Sequence, residues 1–166
     1  MYFNLPGFDL ECSLSPLKNP IITLVPRIHL PFSSSRLFLF SMTAKKHRIL
    51  IAEDFEDNRI ALKLMLKLAG FEALEAADGQ QAIEVTQRDR PDLILMDISL
   101  PTIDGLQATR TIRSNADFQQ LPIIIFSAHD SAESRDEAQE AGGTSYLTKP
   151  IEFEELRKVI EWHLAD

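Results

Sequence analysis

Hydrophobic positions after residue 47 fall into short apolar runs separated by longer segments of mixed polarity. The runs mostly lack polar alternation, which is typical of strands that are buried on both faces of a sheet. The predicted strands span residues 49–52, 71–76, 93–96, 123–126 and 145–147.

The segments between these runs have the spacing of amphipathic helices. Ile60, Leu64 and Leu68 lie four residues apart, and we expect this row, widened by Leu62 and Leu66, to pack against the sheet. Glycines stand in the connecting stretches, where helices end and chains turn. Five strands and five helices are therefore expected to alternate along the chain.

The last amphipathic segment carries Phe153, Leu156 and Ile160 at the same helical spacing, and beyond them we expect Trp162 to pack and His163 to face solvent. Strands that are separated by helices run parallel through right-handed crossovers. The pattern predicts an α/β fold, a doubly wound five-stranded parallel sheet with five helices. In such sheets ligands bind beyond the carboxyl ends of the strands.

Residues 1–41 do not follow this pattern. They hold five of the nine prolines and five of the ten phenylalanines of the 166-residue chain, and prolines at such short intervals exclude helix interiors. We expect a disordered, Pro-rich extension here. Met42 stands just before the first predicted strand, as a natural start would, which favours a misassigned upstream extension.

The net charge of the chain is -8, and because residues 1–41 carry +1, residues 42–166 carry -9. Nucleic acid and anionic lipid are polyanions, so we expect neither nucleic acid nor a membrane as a partner. The single cysteine, Cys12, cannot form an internal disulfide, which makes the cytoplasm the expected compartment. The chain ends at Asp166, directly after the last predicted helix, so no output domain is expected.

Polar side chains follow the ends of four predicted strands: Glu53 and Asp54 after the first, Asp97 after the third, Ser127 after the fourth and Lys149 after the fifth. Because the carboxyl ends of parallel strands meet at one edge of a sheet, we expect these side chains to lie together. Three neighbouring carboxylates repel one another unless a cation compensates, and oxygen ligands are those that Mg²⁺ prefers. The pattern predicts a magnesium site.

Asp97 is also a candidate nucleophile, because an aspartate can accept a phosphoryl group as an acyl phosphate. Lys149 and the metal would neutralise the phosphoryl oxygens, and Ser127 could donate to one of them. Taken singly, these residues have simpler interpretations. Glu53 and Asp54 could cap a helix that begins near Glu56, and Lys149 could be a solvated surface lysine.

Four segments together resemble the receiver domain of two-component response regulators, over residues 47–164. They are ILIAED at 49–54, PDLILMDISLP at 91–101 with Asp104 and Gly105, IFSA at 125–128, and YLTKP at 146–150. The resemblance implies a stand-alone receiver of flavodoxin-like fold. The implied roles are phosphoacceptor for Asp97, Mg²⁺ ligands for Glu53, Asp54, Asp97 and the backbone carbonyl of Ser99, phosphoryl contact for Lys149, and switch residues for Ser127 and for Tyr146, whose inward rotation accompanies phosphorylation.

The resemblance also implies partners. A sensor histidine kinase or a histidine phosphotransfer protein would donate the phosphoryl group, an effector protein would read the result, and the Lys149–Pro150 bond would be cis. A relay intermediate or a kinase regulator is an alternative role. A phosphatase with an aspartyl nucleophile would carry a second aspartate where Ser99 stands. A mononucleotide binder would need a phosphate-binding loop where Glu53 and Asp54 stand.

Overall fold

The computed structural model describes residues 46–165, and the predictions for residues 1–41 lie outside this range. Within it, five parallel strands form one sheet in the order β2-β1-β3-β4-β5. The strands are β1 (Arg48–Ala52), β2 (Glu72–Ala76), β3 (Leu93–Asp97), β4 (Ile123–Ser127) and β5 (Ser145–Thr148). The helices are α1 (Glu56–Leu68), α2 (Gly79–Asp89), α3 (Gly105–Ser114), α4 (Ala132–Glu140) and α5 (Phe153–Leu164), with a short 3-10 turn at Ala116–Phe118.

The predicted fold class is confirmed, because the five strands alternate with the five helices and all pairings are parallel. The strand order places β1 and β3 side by side, with β4 next to β3. The residues that follow or end these three strands therefore meet at one edge of the sheet. No helix among residues 46–165 combines the length and the apolar character needed to cross a membrane.

The sheet separates two hydrophobic clusters, because successive side chains of each strand point to opposite faces. Leu50 and Ile94 belong to the first cluster, which packs against α2, α3 and α4. Ile49 and Leu95 belong to the second cluster, which packs against α1 and α5. All residues of β3 and β4 are buried, as their unbroken apolar runs predict.

Helix α1 turns a different face to the sheet from the one its spacing led us to expect. Leu62 and Leu66 are buried, whereas Ile60, Leu64 and Leu68 are 55%, 56% and 70% exposed. Two residues along a helix correspond to a rotation of about 200°, so the two rows lie on nearly opposite sides. The prediction that the row of Ile60 packs against the sheet is wrong. We call Ile60, Leu64 and Leu68 the α1 row.

The end of α5 also differs from expectation. Leu156 and Ile160 are buried as predicted, but Trp162 is 72% exposed. His163 is partly buried, with its Nε2 atom 2.7 Å from Ser145 Oγ on β5. Both expectations, a packed Trp162 and a solvent-facing His163, are therefore wrong. The helix rotation that buries Leu156 and Ile160 carries the indole outward.

Candidate functional site

Strand ends bring three carboxylates together. Glu53 and Asp54 directly follow β1, and Asp97 ends β3. One oxygen atom from each of the three side chains lies within 4.8 Å of the other two. Glu53 and Asp97 are 1% and 3% exposed, whereas Asp54 is exposed to solvent. The structure thus brings together the three acidic residues that the sequence pattern singled out.

Lys149 bridges the two buried carboxylates. Its Nζ atom donates to Glu53 Oε2 and to Asp97 Oδ2, at 2.7 Å in each case. The ammonium also lies 4.8 Å from the centre of the Phe126 ring, which is a favourable place for a cation. The peptide bond to Pro150 is cis, as the resemblance implied. Lys149 is thus not a solvated surface lysine but a cation shared by two buried acids.

Burial and charge act against each other at this site. Burial raises the pKa of Asp97 above its usual range, although the hydrogen bond and the charge of Lys149 act in the other direction. Burial alone would lower the pKa of Lys149, but hydrogen bonds and charges from Asp97 and Glu53 leave that pKa raised. One ammonium is therefore not enough to offset the desolvation of Asp97, and a further cation would stabilise its charged form.

Glu53 is held by the first turn of α1. Asn58 Nδ2 donates to Glu53 Oε1 at 3.1 Å, the Phe55 amide donates to the same oxygen at 3.3 Å, and Arg59 Nη1 donates to the Glu53 carbonyl at 2.9 Å. Phe55 occupies the N-cap position, and its own side chain makes no capping hydrogen bond. Glu53 does contact the N-cap amide, but its second oxygen binds Lys149, so helix capping is not its whole role. Asn58 and Arg59 were not among the predicted site residues, although a polar first turn directly after a strand-end carboxylate is the signal that marks them.

The backbone around Asp97 depends on a glycine. The Ser99 amide donates to Asp97 Oδ1 at 3.2 Å, and the Gly105 amide donates to the Ile98 carbonyl at 3.0 Å. A Cβ atom on Gly105 would lie 1.8 Å from the Asp97 carbonyl oxygen. Only glycine allows α3 to begin this close to Asp97, which explains the Asp104-Gly105 pair in the sequence. The metal contact of the Ser99 carbonyl stays a prediction.

Ser127 and Tyr146 are joined through a single residue. Ser127, 2% exposed at the end of β4, accepts a hydrogen bond through its Oγ atom from the His129 amide at 3.1 Å. The His129 carbonyl accepts one from the Tyr146 hydroxyl at 2.6 Å. The two predicted switch residues are therefore linked across the loop between β4 and α4. Their roles in switching stay predictions.

The three carboxylates fit a magnesium ion. Mg²⁺ takes oxygen ligands at about 2.0–2.1 Å in octahedral geometry, which sets neighbouring ligands roughly 3–4 Å apart. The spacing within 4.8 Å is close to this requirement. Asp54 is exposed and can adjust its side chain, whereas Glu53 and Asp97 are held by their hydrogen bonds. The donor set is thus suited to a hard divalent cation.

Comparison with known proteins identifies relatives of this chain. The sequence profile of the response regulator receiver domain matches residues 49–161. Protein PilH of Pseudomonas aeruginosa is 35% identical over 118 residues, which cover 71% of this chain and 98% of PilH. Response regulator MprA of Mycobacterium leprae is 39% identical over 109 residues, which cover 66% of this chain and 47% of MprA. The chain therefore spans about half the length of MprA.

Solved structures agree with the sequence relatives. A putative response regulator from Chloroflexus aurantiacus superposes with a TM-score of 0.71 at 33% identity, covering 74% of this chain and all of that one. The receiver domain of sensor histidine kinase PA1611 from Pseudomonas aeruginosa gives a TM-score of 0.69 at 35% identity, covering 73% and 99%. That receiver domain holds a magnesium ion in its active site cleft.

Proposed function

Because the chain belongs to the response regulator receiver domain family, we propose that it is a phosphorylation-dependent switch of a two-component phosphorelay, with Asp97 as the phosphoacceptor. The observation that carries this proposal is the meeting of Glu53, Asp54, Asp97 and Lys149 at the carboxyl edge of the sheet. The likeness of this chain to PilH, over nearly the full length of PilH, supports the same conclusion.

In the proposed reaction a carboxylate oxygen of Asp97 attacks the phosphorus of a phosphohistidine. A P–O bond forms while the P–N bond breaks, and the electron pair of the P–N bond returns to the imidazole nitrogen of the donor. Lys149 Nζ transfers its contact from Asp97 Oδ2 to a phosphoryl oxygen while it keeps Glu53 Oε2. Ser127 donates its hydroxyl proton to a second phosphoryl oxygen.

Mg²⁺ held by Glu53, Asp54 and Asp97 would neutralise charge on the phosphoryl oxygens. The magnesium in the PA1611 receiver domain supports this assignment. Attack of water on the phosphorus later breaks the P–O bond to Asp97, which returns the carboxylate and releases inorganic phosphate. The chain thus acts as a signalling domain that catalyses only its own phosphorylation and dephosphorylation.

The test is phosphorylation by a small donor. Acetyl phosphate with Mg²⁺ should add one phosphoryl group to the wild-type protein, detected by intact mass. Asp97→Asn should not gain this phosphoryl group. The control Asp136→Asn, on the exposed side of α4, should gain it as the wild type does. Chelation of Mg²⁺ should suppress the reaction. If Asp97→Asn is labelled as fully as the wild type, Asp97 is not the acceptor.

We place the phosphohistidine donor, a sensor histidine kinase or a histidine phosphotransfer protein, on the α1 row. Contiguous exposed apolar patches mark interaction sites. Ile60, Leu64 and Leu68 are exposed, and Phe55, which lies directly after Asp54 and before the first residue of α1, is 61% exposed as well. A donor that reaches Asp97 therefore covers the start of α1 as well.

Charge indicates what kind of helix would cover this row. Lys63 and Lys67 flank the α1 row, and Lys63 pairs with Glu75 of β2. A second α1 in antiparallel pairing would bring these lysine flanks against each other, which like charge disfavours. The surface thus suits a partner helix with an apolar row and acidic flanks.

A charge in the α1 row separates docking from chemistry. Leu64→Glu should slow transfer from a panel of phosphorylated kinases and phosphotransfer proteins of the source organism by about tenfold or more, as for a residue at the centre of an interface. Labelling by acetyl phosphate should stay unchanged. Gln107→Glu, on exposed α3 across the sheet, is the control. Equal transfer rates for both variants would show that the donor docks elsewhere.

A further inference from the structure

Helix α4 has few apolar contacts to hold it. Ala138 is its one buried residue, and the remaining sequence is rich in charged and polar side chains. Ser131 caps its N-terminus by accepting a hydrogen bond from the Ser134 amide at 3.1 Å. A helix with so little apolar burial depends on polar contacts for its position, and those contacts determine how readily it moves.

Arg135 makes the main polar contacts of this helix with its surroundings. The guanidinium carbon lies 4.7 Å from the centre of the Tyr146 ring on β5. Arg135 Nε and Nη2 donate to Asp130 Oδ1 at 2.9 and 2.5 Å. Nη2 also lies 3.4 Å from Thr148 Oγ1. One side chain therefore connects α4, the loop before it and β5.

Tyr146 lies inward in this structure. Its partly buried ring packs against the first hydrophobic cluster, and its hydroxyl donates to the His129 carbonyl. The His129 amide in turn donates to Ser127 Oγ. Outward rotation of Tyr146 would break its contact with Arg135 and its hydrogen bond to His129, and would uncover the edge of the cluster.

A bound phosphoryl group and Arg135 would act on the same loop from opposite ends. Ser127 donating to a phosphoryl oxygen still accepts from the His129 amide, because donor and acceptor positions of a hydroxyl are separate. An ordered His129 then presents its carbonyl to Tyr146, which Arg135 holds from the other side. Two groups that favour one state strengthen each other by linkage.

We propose that Arg135 is a positioning residue that holds Tyr146 inward by stacking on its ring, and thereby strengthens the response to phosphorylation. The effect on the response to phosphorylation rests on the proposed function of Asp97, whereas the effect on the position of Tyr146 does not. Loss of the stack should weaken the binding of a phosphoryl mimic about two- to five-fold, the factor to which a cation–π contact of an exposed pair corresponds.

The position of Tyr146 can be tested by itself. The chain has two tyrosines, so labelling with 3-fluorotyrosine gives two fluorine NMR signals, and Tyr146→Phe assigns them. Arg135→Met should shift the Tyr146 signal towards that of a solvent-exposed tyrosine, and Arg135→Lys should shift it less. Arg110→Met, on the exposed face of α3, is the matched control. An unshifted signal in Arg135→Met overturns the proposal.

The coupling to the site is tested with beryllium fluoride and Mg²⁺, by isothermal titration. Arg135→Met should bind the mimic two- to five-fold more weakly than the wild type and Arg110→Met, with unchanged affinity for Mg²⁺ alone. If the wild type and Arg135→Met bind the mimic with the same affinity, the proposed coupling is overturned. If the wild type does not bind the mimic, the proposed function of Asp97 is contradicted instead. The fluorine NMR signal still decides the position of Tyr146 in that case. Asp130→Asn provides a milder variant if Arg135→Met does not fold.

Discussion

Replacing Lys149 with methionine removes the cation that touches both buried carboxylates while it keeps most of the apolar stem. Glu53 and Asp97 would then face each other without the ammonium that now lies 2.7 Å from each. Because the side chains of these acids are only 2% and 5% exposed, water cannot take over the role of Lys149. We expect Lys149→Met to lower the free energy of unfolding.

The size of this loss follows from burial. Removing one partner of a fully buried ion pair costs about 3–5 kcal/mol. The Lys149 side chain is 25% exposed, so solvent screens part of its interaction and the expected loss is about 2–3 kcal/mol. The raised pKa of Lys149 means that its contribution is complete below 10.5 and is lost only as the pH rises through its folded value. At pH 7 the ammonium of Lys149 is therefore fully charged.

The assay is urea unfolding followed by circular dichroism, with a chelator or with excess Mg²⁺. Magnesium brings positive charge to the same carboxylates and binds the folded state, so it should recover part of the loss in Lys149→Met. Lys158→Met, at an exposed position of α5, is the control for removing a lysine. A loss below about 0.5 kcal/mol, the usual range of surface substitutions, or a loss that Mg²⁺ leaves unchanged, would refute the reasoning.

Three further predictions concern Asp97, Gly105 and His163. Asp97→Asn should be more stable than the wild type in chelator, and the difference in urea midpoint should grow as the pH rises from 3.8 through the raised pKa of Asp97, because the folded state disfavours the charged carboxylate. Gly105→Ala should lose about 1–3 kcal/mol or more in urea unfolding, since its Cβ meets the Asp97 carbonyl, whereas Gln107→Ala should lose little. Burial lowers the pKa of His163 below 6.5, so stability should fall as the pH drops through 6.5, and His163→Gln should flatten that fall in the same assay.

The positions of the strands, and of the polar residues at their ends, could be predicted from the sequence because buried parallel strands have a characteristic apolar composition. Ile123 to Phe126 is an unbroken apolar run, and its confirmed burial on both faces leaves little choice of structure. Asp97 and Ser127 belong to β3 and β4 themselves, one residue further than predicted, because the ladder pairs Asp97 with Phe126 and Ser127 with Thr148.

The orientation of α1 could not be read from spacing. Its apolar residues form two series, one of Ile60, Leu64 and Leu68 and one of Leu62 and Leu66, and both have the four-residue period of a helix. Which series faces the sheet depends on how the chain leaves β1 and enters α1, a geometric relation that periodicity does not contain. Longer apolar rows are therefore not always buried rows.

Contacts between distant parts of the chain account for what was missed at the site. Lys149 was expected to contact a phosphoryl group, but its present partners, Glu53 and Asp97, follow from side-chain positions rather than from strand order. The hydrogen bond from Asn58 to Glu53 likewise requires the exact entry of α1. The spacing of residues along the chain does not determine the geometry of such a turn.

Because the sheet divides the core into two clusters, the α1 row and Tyr146 depend on separate sets of packed residues. The α1 row lies on the helix whose buried face packs in the second cluster, whereas Tyr146 packs against the first. Substitutions on the two sides share no apolar neighbours, so their effects on stability should add. The surface proposed to select a donor can thus diverge in evolution without retuning the switch.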